Sequence, residues 1–228
     1  LINNNYQPIS TPILEYSEVF SRTLGKDSDV VTKEMYTFKD NSNENLTLRP
    51  EGTASIARAV ISNGLTQSLP LKFFYNGPMF RYERPQKGRF RQFHQLGIEL
   101  YGNGGLYQDL EAIVIAYKYL VSLNIIDLVN LRINTLGNKS SRTKYILALK
   151  EYFNLNNNQL SEDSKNRLNK NPLRILDSKE REDIELCKKA PLIYDFLEDD
   201  ELKYFQTLKD FLTELKINFV EDPFLVRG

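Results

Sequence analysis

Two neighbouring stretches of the sequence carry charged and amide side chains at alternating positions among apolar ones. They are residues 73–83 (FFYNGPMFRYE) and residues 91–102 (RQFHQLGIELYG). The two-residue period of a β-strand places a cation, an aromatic ring, an amide, a gap and a carboxylate on one face of the second stretch, namely Arg91, Phe93, Gln95, Gly97 and Glu99. An unpaired buried donor or acceptor costs about 1–3 kcal/mol. The pattern therefore indicates that a polar ligand lies on this face.

The first stretch offers a matching row, made of Gly77, Met79, Arg81 and Glu83. If the two strands pair antiparallel, the two rows lie side by side and form one surface, which we call the floor. On the floor, the ring of Phe93 is suited to stack on an adenine. The guanidinium of Arg81 is suited to the α-phosphate, because its fork of N–H donors matches phosphate oxygens.

The loop between the two strands, RPQKGRF, carries Arg84, Lys87 and Arg89 around Gly88. A charged loop of this kind is commonly a solvated hairpin tip. Alternatively, its cations close over a polyphosphate, since arginine binds phosphate oxygens in a bidentate manner. The neighbouring floor favours the second interpretation, and both stay open.

Glu51 and Thr53 stand at the start of a predicted helix that follows the segment TLRP. One interpretation is helix-start chemistry, because a carboxylate in the first turn and a capping threonine both stabilise a helix N-terminus. The other interpretation is that the two side chains face the floor and bind an ammonium group. Periodicity does not choose between them.

His94, the only histidine, alternates away from Phe93, Gln95 and Glu99, so we expect a structural role for it. The only cysteine, Cys187, excludes an internal disulfide and a cysteine-cluster metal site, which suits a reducing compartment. We identify no metal site from protein side chains, because further ligands at suitable spacing do not occur.

Local patterns predict the elements that position these residues. The predicted elements are a helix over 17–24, strands at 35–38 and 45–50, a helix over 51–64, the hairpin, a helix over 109–123, a strand within 128–137, helices over 140–153 and 201–215, and strand-like residues 218–228. The sequence therefore predicts an α+β fold with an antiparallel sheet flanked by helices. We expect a core over 1–137, a mostly helical insertion over 138–219, and a return to the core over 220–228.

The composition is that of an ordinary globular protein, with 41% hydrophobic and 26% charged residues in 228. Lys plus Arg and Asp plus Glu both number 30, so no overall basic field indicates a dedicated nucleic-acid binder. An enzyme that touches nucleic acid on one face remains compatible. No apolar run approaches the roughly 20 residues that span a bilayer, and no signal peptide is visible, so we expect a cytoplasmic protein. The absent initiator Met and the ending FLVRG suggest a fragment.

Several motifs together are specific to one family. FRYE (80–83), RPQKGRFRQFHQLGIELYG (84–102), TLRPEGTA (47–54), KEMYTF (33–38), NPLRILDSK (171–179) and LVRG (225–228) resemble segments of bacterial histidyl-tRNA synthetases, which are class II aminoacyl-tRNA synthetases. The resemblance covers essentially the whole chain. It implies the class II synthetase fold and an enzyme that activates L-histidine with ATP and transfers it to tRNA(His).

The resemblance also implies roles for the histidine-binding residues. Glu51, Thr53 and Gln95 hold the α-amino group, within a segment that includes Gly52, and Glu99 reads the imidazole. Two arginines act on the reacting groups. Arg81 binds the α-phosphate and the histidine carboxylate, and Arg227 is the catalytic arginine that stabilises the pentacovalent phosphate and contacts histidine.

For ATP, the resemblance assigns the α-phosphate to Arg81, the adenine amino group to Glu83, the γ-phosphate to Arg89 and adenine stacking to Phe93. Mg²⁺ is expected to arrive bound to ATP, and no other cofactor is implied. Pro12 resembles the proline of the motif 1 dimer interface, so the full-length protein is expected to be a homodimer. The insertion is expected to contact the tRNA acceptor stem, and no membrane is implied.

The chain departs from the family pattern at its ends. The start of motif 1, the LDYY that follows LVRG, motif 3 and an anticodon-binding domain are not in the sequence. We therefore expect the front half of a catalytic domain with its insertion, and we expect the fragment alone to lack part of the adenine site and several sheet strands.

Two other functions remain as alternatives. One is a non-catalytic synthetase-like regulator, such as the regulatory subunit of ATP phosphoribosyltransferase or a tRNA-sensing domain. The other is an interaction domain without a ligand, for which the polar strand face would be accidental. The adenylation residues favour the enzyme, since a regulator does not need them; they are Arg81, Glu83, Arg89, Phe93, Gln95, Glu99 and Arg227.

Overall fold

The structure, a computed structural model, describes residues 1–25, 28, 30–102 and 104–226. Arg227, the predicted catalytic arginine, therefore lies outside the described residues. The chain groups into two units, Leu1–Gln108 and Asp109–Gly228. The sequence placed its first boundary later, between residues 137 and 138. The two units do not test whether 138–219 is an insertion, and that division stays a prediction.

The first unit contains six strands and two α-helices among its described residues. These are β1 (Gln7–Pro8), β2 (Leu14–Tyr16), α1 (Ser17–Leu24), β3 (Tyr36–Lys39), β4 (Asn45–Leu48), α2 (Thr53–Ser62), β5 (Leu71–Phe80) and β6 (Gln92–Tyr101). Helix α1 has the predicted bounds, and α2 begins two residues after the predicted start. A π-helical turn over Val30–Glu34 precedes β3.

The strands of the first unit form two sheets. In one, the order is β1-β5-β6, with β5 and β6 antiparallel and β1 parallel to β5. In the other, the order is β2-β4-β3 and both pairings are antiparallel. The predicted α+β fold and the predicted hairpin are confirmed. The parallel pairing of β1 was not anticipated; it is possible because a long connection separates β1 from β5.

Helix α2 packs its apolar face on the inner face of the β5–β6 hairpin. Ile56 and Val60, one helical turn apart, are buried with Phe73, Tyr75 and Met79 in one cluster. This packing fixes the N-terminus of α2 beside the hairpin. The same cluster therefore holds both parts of the predicted site.

The second unit is mostly helical. Its elements are α4 (Lys139–Leu155), α5 (Glu162–Lys170), α6 (Arg181–Cys187) and α7 (Asp199–Glu214), with the strands β7 (Leu131–Ile133) and β8 (Phe219–Glu221); α3 (Leu106–Ser122) runs across the division between the units. The motif NPLRILDSK contains a 3₁₀ turn over Pro172–Ile175. The predicted helices are confirmed.

The core of the second unit is centred on α4. Tyr145, Leu149 and Phe153 recur at a spacing of four and are fully buried, together with Ile175 and Ile193. On α7, Phe205, Leu208 and Leu212 are buried, whereas Leu202 and the following Leu215 are exposed.

Strands β7 and β8 are parallel neighbours, with Leu131 opposite Phe219 and Ile133 opposite Glu221. This pairing brings together the two ends of the chain that flank the predicted insertion, 138–219. An insertion needs its two ends close together, and whether 138–219 is an insertion stays a prediction. Among the described residues, no helix has the length and apolar character needed to cross a membrane.

Candidate active site

The floor forms as the alternation predicted. Tyr75 lies opposite Gly97, Gly77 opposite Gln95, and Met79 opposite Phe93. Residues directly opposite in an antiparallel pair point to the same face, so both rows share one surface. On the other face of β6 the side chains of Gln92, His94 and Leu96 are exposed, which confirms that His94 points away from the floor.

Tyr75 fills the gap in this floor. A Cβ built on Gly97 would lie 2.3 Å from the Tyr75 ring, and one built on Gly52 would lie 2.4 Å from it. Only glycine leaves room for the ring at both positions. Burial raises the pKa of Tyr75 to about 12, and the charges of Glu99 and Glu51 add to the shift, so the phenol stays protonated at neutral pH. The sequence analysis missed Tyr75, although the same alternation places it in the Gly77 row.

The start of α2 and the floor meet at Thr53 and Glu99. The Thr53 Oγ1 donates to Glu99 Oε1 at 2.7 Å. Burial raises the pKa of Glu99 above its usual range, and the nearby charge of Glu51 adds to the rise, while the hydrogen bond from Thr53 opposes it. Thr53 therefore faces the floor, as the functional interpretation required.

The hydrogen bonds of Glu51 are those expected of a carboxylate at a helix start. Its carboxylate accepts the backbone N–H groups of Thr53 at 2.7 Å and Ala54 at 2.9 Å. These bonds satisfy donors that have no partner within α2, and the negative charge is favourable at a helix N-terminus. Because Glu51 is also close enough to shift the pKa of Glu99, both carboxylates belong to one acidic group.

Gln95 carries an unpaired acceptor on the floor. Its Oε1 is buried and has no hydrogen-bond partner among the described residues. An acceptor left in this state costs about 1–3 kcal/mol unless a donor reaches it. The atom is therefore available to accept an N–H or O–H group of a ligand that reaches this position.

Arg49 supports the floor from within the protein and was missed by the sequence analysis. Its Nε donates to the Pro78 carbonyl at 3.0 Å, and its Nη1 donates to the Thr11 carbonyl at 2.7 Å. A Cβ on Gly77 would lie 2.5 Å from Arg49 Nη2, so this glycine gives the guanidinium its space. The sequence offered one signal for the importance of Arg49: it belongs to the motif TLRP and stands two residues before Glu51.

Arg81 and Phe93 lie together at the other end of the floor. The Arg81 guanidinium carbon is 5.2 Å from the centre of the Phe93 ring, a cation–π contact. Its Nε donates to the Pro50 carbonyl at 2.9 Å, which holds the side chain against the segment that leads to Glu51. The two side chains are therefore neighbours on the floor, as predicted.

The hairpin loop is open and charged. Arg84, Lys87 and Arg89 are exposed, and Gly88 has a φ of +80°, a conformation that glycine adopts readily. Arg89 Nη1 lies 3.3 Å from Glu83 Oε2, so two side chains predicted to contact ATP pair with each other here. With 60% of the Arg89 side chain exposed, this pair is worth about 0–1 kcal/mol and a ligand can replace it.

Within the described part of the chain, no group of three or more His, Cys, Asp or Glu side chains is arranged to hold a metal ion. The contacts above give the site two ends. One is acidic and carries an amide, around Glu99 and Gln95, and the other is cationic and aromatic, around Arg81 and Phe93.

The family model described as histidyl-tRNA synthetase matches residues 3–141. The matched region is more than half of the 228 residues and contains the whole floor, Glu51 and Thr53. The chain belongs to the histidyl-tRNA synthetase family. The family resemblance inferred from the motifs is confirmed.

Close relatives are histidine–tRNA ligases of bacteria. The chain is 53% identical over 223 residues to that of Gluconobacter oxydans and 51% identical over 224 residues to that of Orientia tsutsugamushi strain Boryong. Each alignment covers 98% of this chain, but 54% and 53% of the two relatives. The chain therefore spans about half the length of these relatives.

A solved structure agrees with this family. A crystal structure of apo histidyl-tRNA synthetase from S. aureus superposes with a TM-score of 0.75 and 34% identity, covering 100% of this chain and 51% of that one. A Bacillus halodurans protein titled ATP phosphoribosyltransferase regulatory subunit/histidyl-tRNA synthetase has a TM-score of 0.57 and 24% identity, covering 95% and 58%. The second likeness shows a shared fold alone.

The structure thus brings most of the predicted family residues into the two ends of one site. At the acidic and amide end are Glu51, Gly52, Thr53, Gln95 and Glu99, and at the cationic and aromatic end are Arg81, Glu83, Arg89 and Phe93. Their contacts with substrates stay predictions, as does the role of Arg227.

Proposed function

We propose that the full-length protein is a histidine–tRNA ligase, which forms histidyl-adenylate from L-histidine and ATP and then transfers the histidyl group to tRNA(His). One observation carries the proposal. The buried Oε1 of Gln95 has no partner in the described chain, and it lies on the same floor as the carboxylate that Thr53 orients. Such a group of acceptors is suited to a ligand with several N–H donors.

Histidine has the matching donors. Its α-ammonium group is directed at Glu51, Thr53 and Gln95, and its imidazole N–H at Glu99. A side chain at position 52 would collide with the Tyr75 ring. Because residue 52 is a glycine, the backbone at the start of α2 lies against that ring, next to the position proposed for histidine. A site that hydrogen-bonds a substrate N–H rejects analogues that lack it by roughly 10⁴–10⁵. Specificity for histidine then needs no separate editing step.

ATP is proposed to occupy the other end of the floor. Adenine stacks on Phe93, and its amino group is read by Glu83, while Arg89 meets the γ-phosphate. The weak Arg89–Glu83 pair opens when ATP binds, and each side chain then has a partner on the nucleotide. Mg²⁺ arrives with ATP as part of the substrate, and no other cofactor is proposed.

The chemistry needs alignment and charge neutralisation. The histidine carboxylate is already ionised, so it attacks the α-phosphate without a general base and pyrophosphate leaves. Arg81 and Arg227 stabilise the charge on the pentacovalent phosphate, and Arg81 is already oriented by the Pro50 carbonyl. A terminal ribose hydroxyl of the tRNA then attacks the adenylate carbonyl.

The assembly is part of the proposal. We propose a cytoplasmic homodimer in which Pro12 lies at the interface; the neighbouring Ile13 and Leu14 are 42% and 46% exposed, as an apolar contact surface requires. The helical segment 138–219 is proposed to contact the tRNA acceptor stem.

Histidine-dependent ATP–pyrophosphate exchange in the full-length protein tests this function. Arg227→Ala is expected to lower kcat by about 10²–10³ with a small change in histidine KM, because it removes stabilisation of the transition state. Glu99→Ala is expected to lose histidine recognition. Exposed residues of the same types serve as controls, and Arg142→Ala and Glu18→Ala should keep the wild-type rate.

The regulatory alternative predicts a different outcome. A synthetase-like regulator keeps the fold but has no need of adenylation, and this chain shares its fold with the Bacillus halodurans protein whose title names a regulatory subunit. Absence of exchange in an intact, folded wild-type protein would therefore overturn the ligase proposal. The 53% and 51% identity to histidine–tRNA ligases favours exchange.

A further inference from the structure

The hydroxyl end of Tyr75 lies between the two backbone segments that carry the acidic end of the site. A Cβ on Gly52 would lie 2.8 Å from Tyr75 Oη, and one on Gly97 would lie 2.4 Å from it. Thr53 directly follows Gly52, and Glu99 stands two residues after Gly97 on the same face of β6. The phenol oxygen is therefore confined beside the contact between Thr53 and Glu99.

A hydrogen bond joins the side chains of Tyr75 and Thr53. Burial raises the pKa of Tyr75, and this hydrogen bond opposes the rise. The Thr53 hydroxyl has one proton, and Oγ1 donates that proton to Glu99 Oε1 at 2.7 Å. The Thr53 oxygen is therefore the acceptor in its contact with Tyr75, and the phenol is the donor. The two bonds run in one direction, from Tyr75 through Thr53 to Glu99.

These two bonds determine what the Thr53 hydroxyl can still offer to a ligand. A hydroxyl has one donor and two acceptor lone pairs. The proton goes to Glu99 and one lone pair accepts from Tyr75, which leaves one lone pair. Thr53 is exposed, so a ligand can reach this lone pair. An ammonium group is the complementary partner, because it has three N–H donors and no acceptor.

Two neighbouring side chains do not supply the proton that Thr53 accepts. Tyr101 lies on the same face of β6, but its buried hydroxyl has no hydrogen-bond partner among the described residues. The Glu51 carboxylate accepts the backbone N–H groups of Thr53 and Ala54, and an ionised carboxylate has no proton to donate. Tyr75 is therefore the group that orients the Thr53 hydroxyl.

We propose that Tyr75 is a positioning residue for histidine binding: it acts through Thr53, whose hydroxyl it holds in the orientation that presents the remaining lone pair to the substrate ammonium group. The inference rests on the proposed ligase function. It adds to that function a residue that does not contact the substrate and still sets the affinity for it.

Tyr75→Phe in the full-length protein tests the inference by ATP–pyrophosphate exchange. This variant keeps the ring that fills the space between the two glycines and removes the hydroxyl alone. The histidine KM is expected to rise about 3- to 10-fold, the usual effect of one hydrogen bond. The kcat should stay within about twofold of the wild type, because the ammonium contact is the same in the ground state and the transition state. An unchanged histidine KM overturns the inference.

Tyr101→Phe is the matched control, since it removes a buried phenol hydroxyl from the same strand pair. Burial raises the pKa of Tyr101 and the charge of Glu99 adds to the rise, so this phenol lies near the same carboxylate. Its hydroxyl does not hydrogen-bond Thr53, and the variant should keep the wild-type histidine KM. An equal rise of KM in both variants would overturn the inference, because the loss of either buried hydroxyl would then have the same effect.

A double-mutant cycle tests whether Tyr75 acts through Thr53. Thr53→Val removes the hydroxyl, keeps the branched shape and should raise the histidine KM more than Tyr75→Phe does. If the two residues act as one unit, adding Tyr75→Phe to Thr53→Val raises the KM no further. A full additional rise in the double variant overturns the inference.

Calorimetric titration supplies a readout that does not need adenylation. The histidine Kd should rise in Tyr75→Phe by the same factor as the KM. Imidazolepropionate, which lacks the α-amino group, should bind wild type and Tyr75→Phe equally, because it brings no ammonium group to Thr53. An equal loss of affinity for both ligands would overturn the inference. Absence of exchange in the folded wild type instead overturns the proposed function, so the two failures are distinguishable.

Discussion

At the residue scale, the packing of the site depends on two glycines that leave room for the ring of one tyrosine. The Tyr75 ring lies against Gly52 at the start of α2 and against Gly97 of β6. The two glycines come from different elements, so the ring sets the distance between them. Glu51 and Glu99 are both near this ring, and its packing therefore bears on the spacing of the two carboxylates.

Gly97→Ala is expected to destabilise the first unit by about 1–3 kcal/mol, the usual cost of overpacking, and to weaken histidine binding. The ring cannot move aside freely because Gly52 bounds it as well. Chemical denaturation and histidine titration measure the two effects. Gly104→Ala is the control, since a Cβ there has no atom within 4 Å. Wild-type stability of Gly97→Ala would contradict the packing described for Tyr75.

At the element scale, a buried carboxylate ties α5 to α6 in the second unit. Asp183 of α6 is 0% exposed and accepts hydrogen bonds from the hydroxyls of Ser161, Ser164 and Ser178. The backbone N–H of Ser161 adds a fourth bond, at 2.9 Å. Burial alone would raise the pKa of Asp183, but the bonds from the serines outweigh it and lower the pKa. The N-terminus of α5 is thus fixed to α6.

Asp183→Ala is expected to lower the free energy of unfolding by roughly 2–4 kcal/mol, because the buried hydroxyl of Ser164 and the half-buried hydroxyls of Ser161 and Ser178 lose their acceptor. Since the folded pKa is lowered, the wild-type carboxylate stabilises the fold above its unfolded pKa and loses that effect as pH falls through the folded value. The difference between wild type and Asp183→Ala should therefore shrink in acid. Denaturation at several pH values measures it.

The exposed Asp163 of α5 is the control for this prediction, since its surface ion pair with Arg167 is worth about 0–1 kcal/mol. Asp163→Ala should remain close to wild type at neutral pH. A loss as large in Asp163→Ala as in Asp183→Ala would contradict the role given to the buried cluster.

At the scale of the whole molecule, the single cysteine of the sequence lies in the second unit, so its reactivity measures the opening of that unit. Cys187 is 4% exposed in the core of the second unit. Burial raises its pKa to about 12, and the charge of Asp183 adds to the rise. The thiolate, which is the reactive form, is therefore scarce in the folded protein.

Cys187 is expected to react with an aromatic disulfide reagent only after the second unit opens. At pH 8 the folded protein should be labelled far more slowly than the denatured protein, which should react at the rate of a free thiol. Asp183→Ala should accelerate labelling, because it destabilises the same unit. Rapid labelling of the folded wild type would contradict the burial of this side chain.

Local patterns predicted the elements well because their causes are local. Helix α1 has the predicted bounds, and alternation along β6 placed Phe93, Gln95 and Glu99 on one face. The parallel pairing of β1 with β5 could not be predicted this way, because it joins strands separated by more than 60 residues. The roles of Glu51 and Thr53 also depended on which elements meet at the N-terminus of α2.

The sequence by itself determined the family, the α+β class and the row of residues on the floor, since motifs and strand alternation are readable along the chain. Only the tertiary structure decided which distant groups touch. Thr53 and Glu99 are 46 positions apart, and Asn134 and Leu225 are 91 apart. Such contacts arise when buried polar groups must find partners after the elements have packed. The space for Tyr75 beside Gly52 and Gly97 was decided by that packing as well.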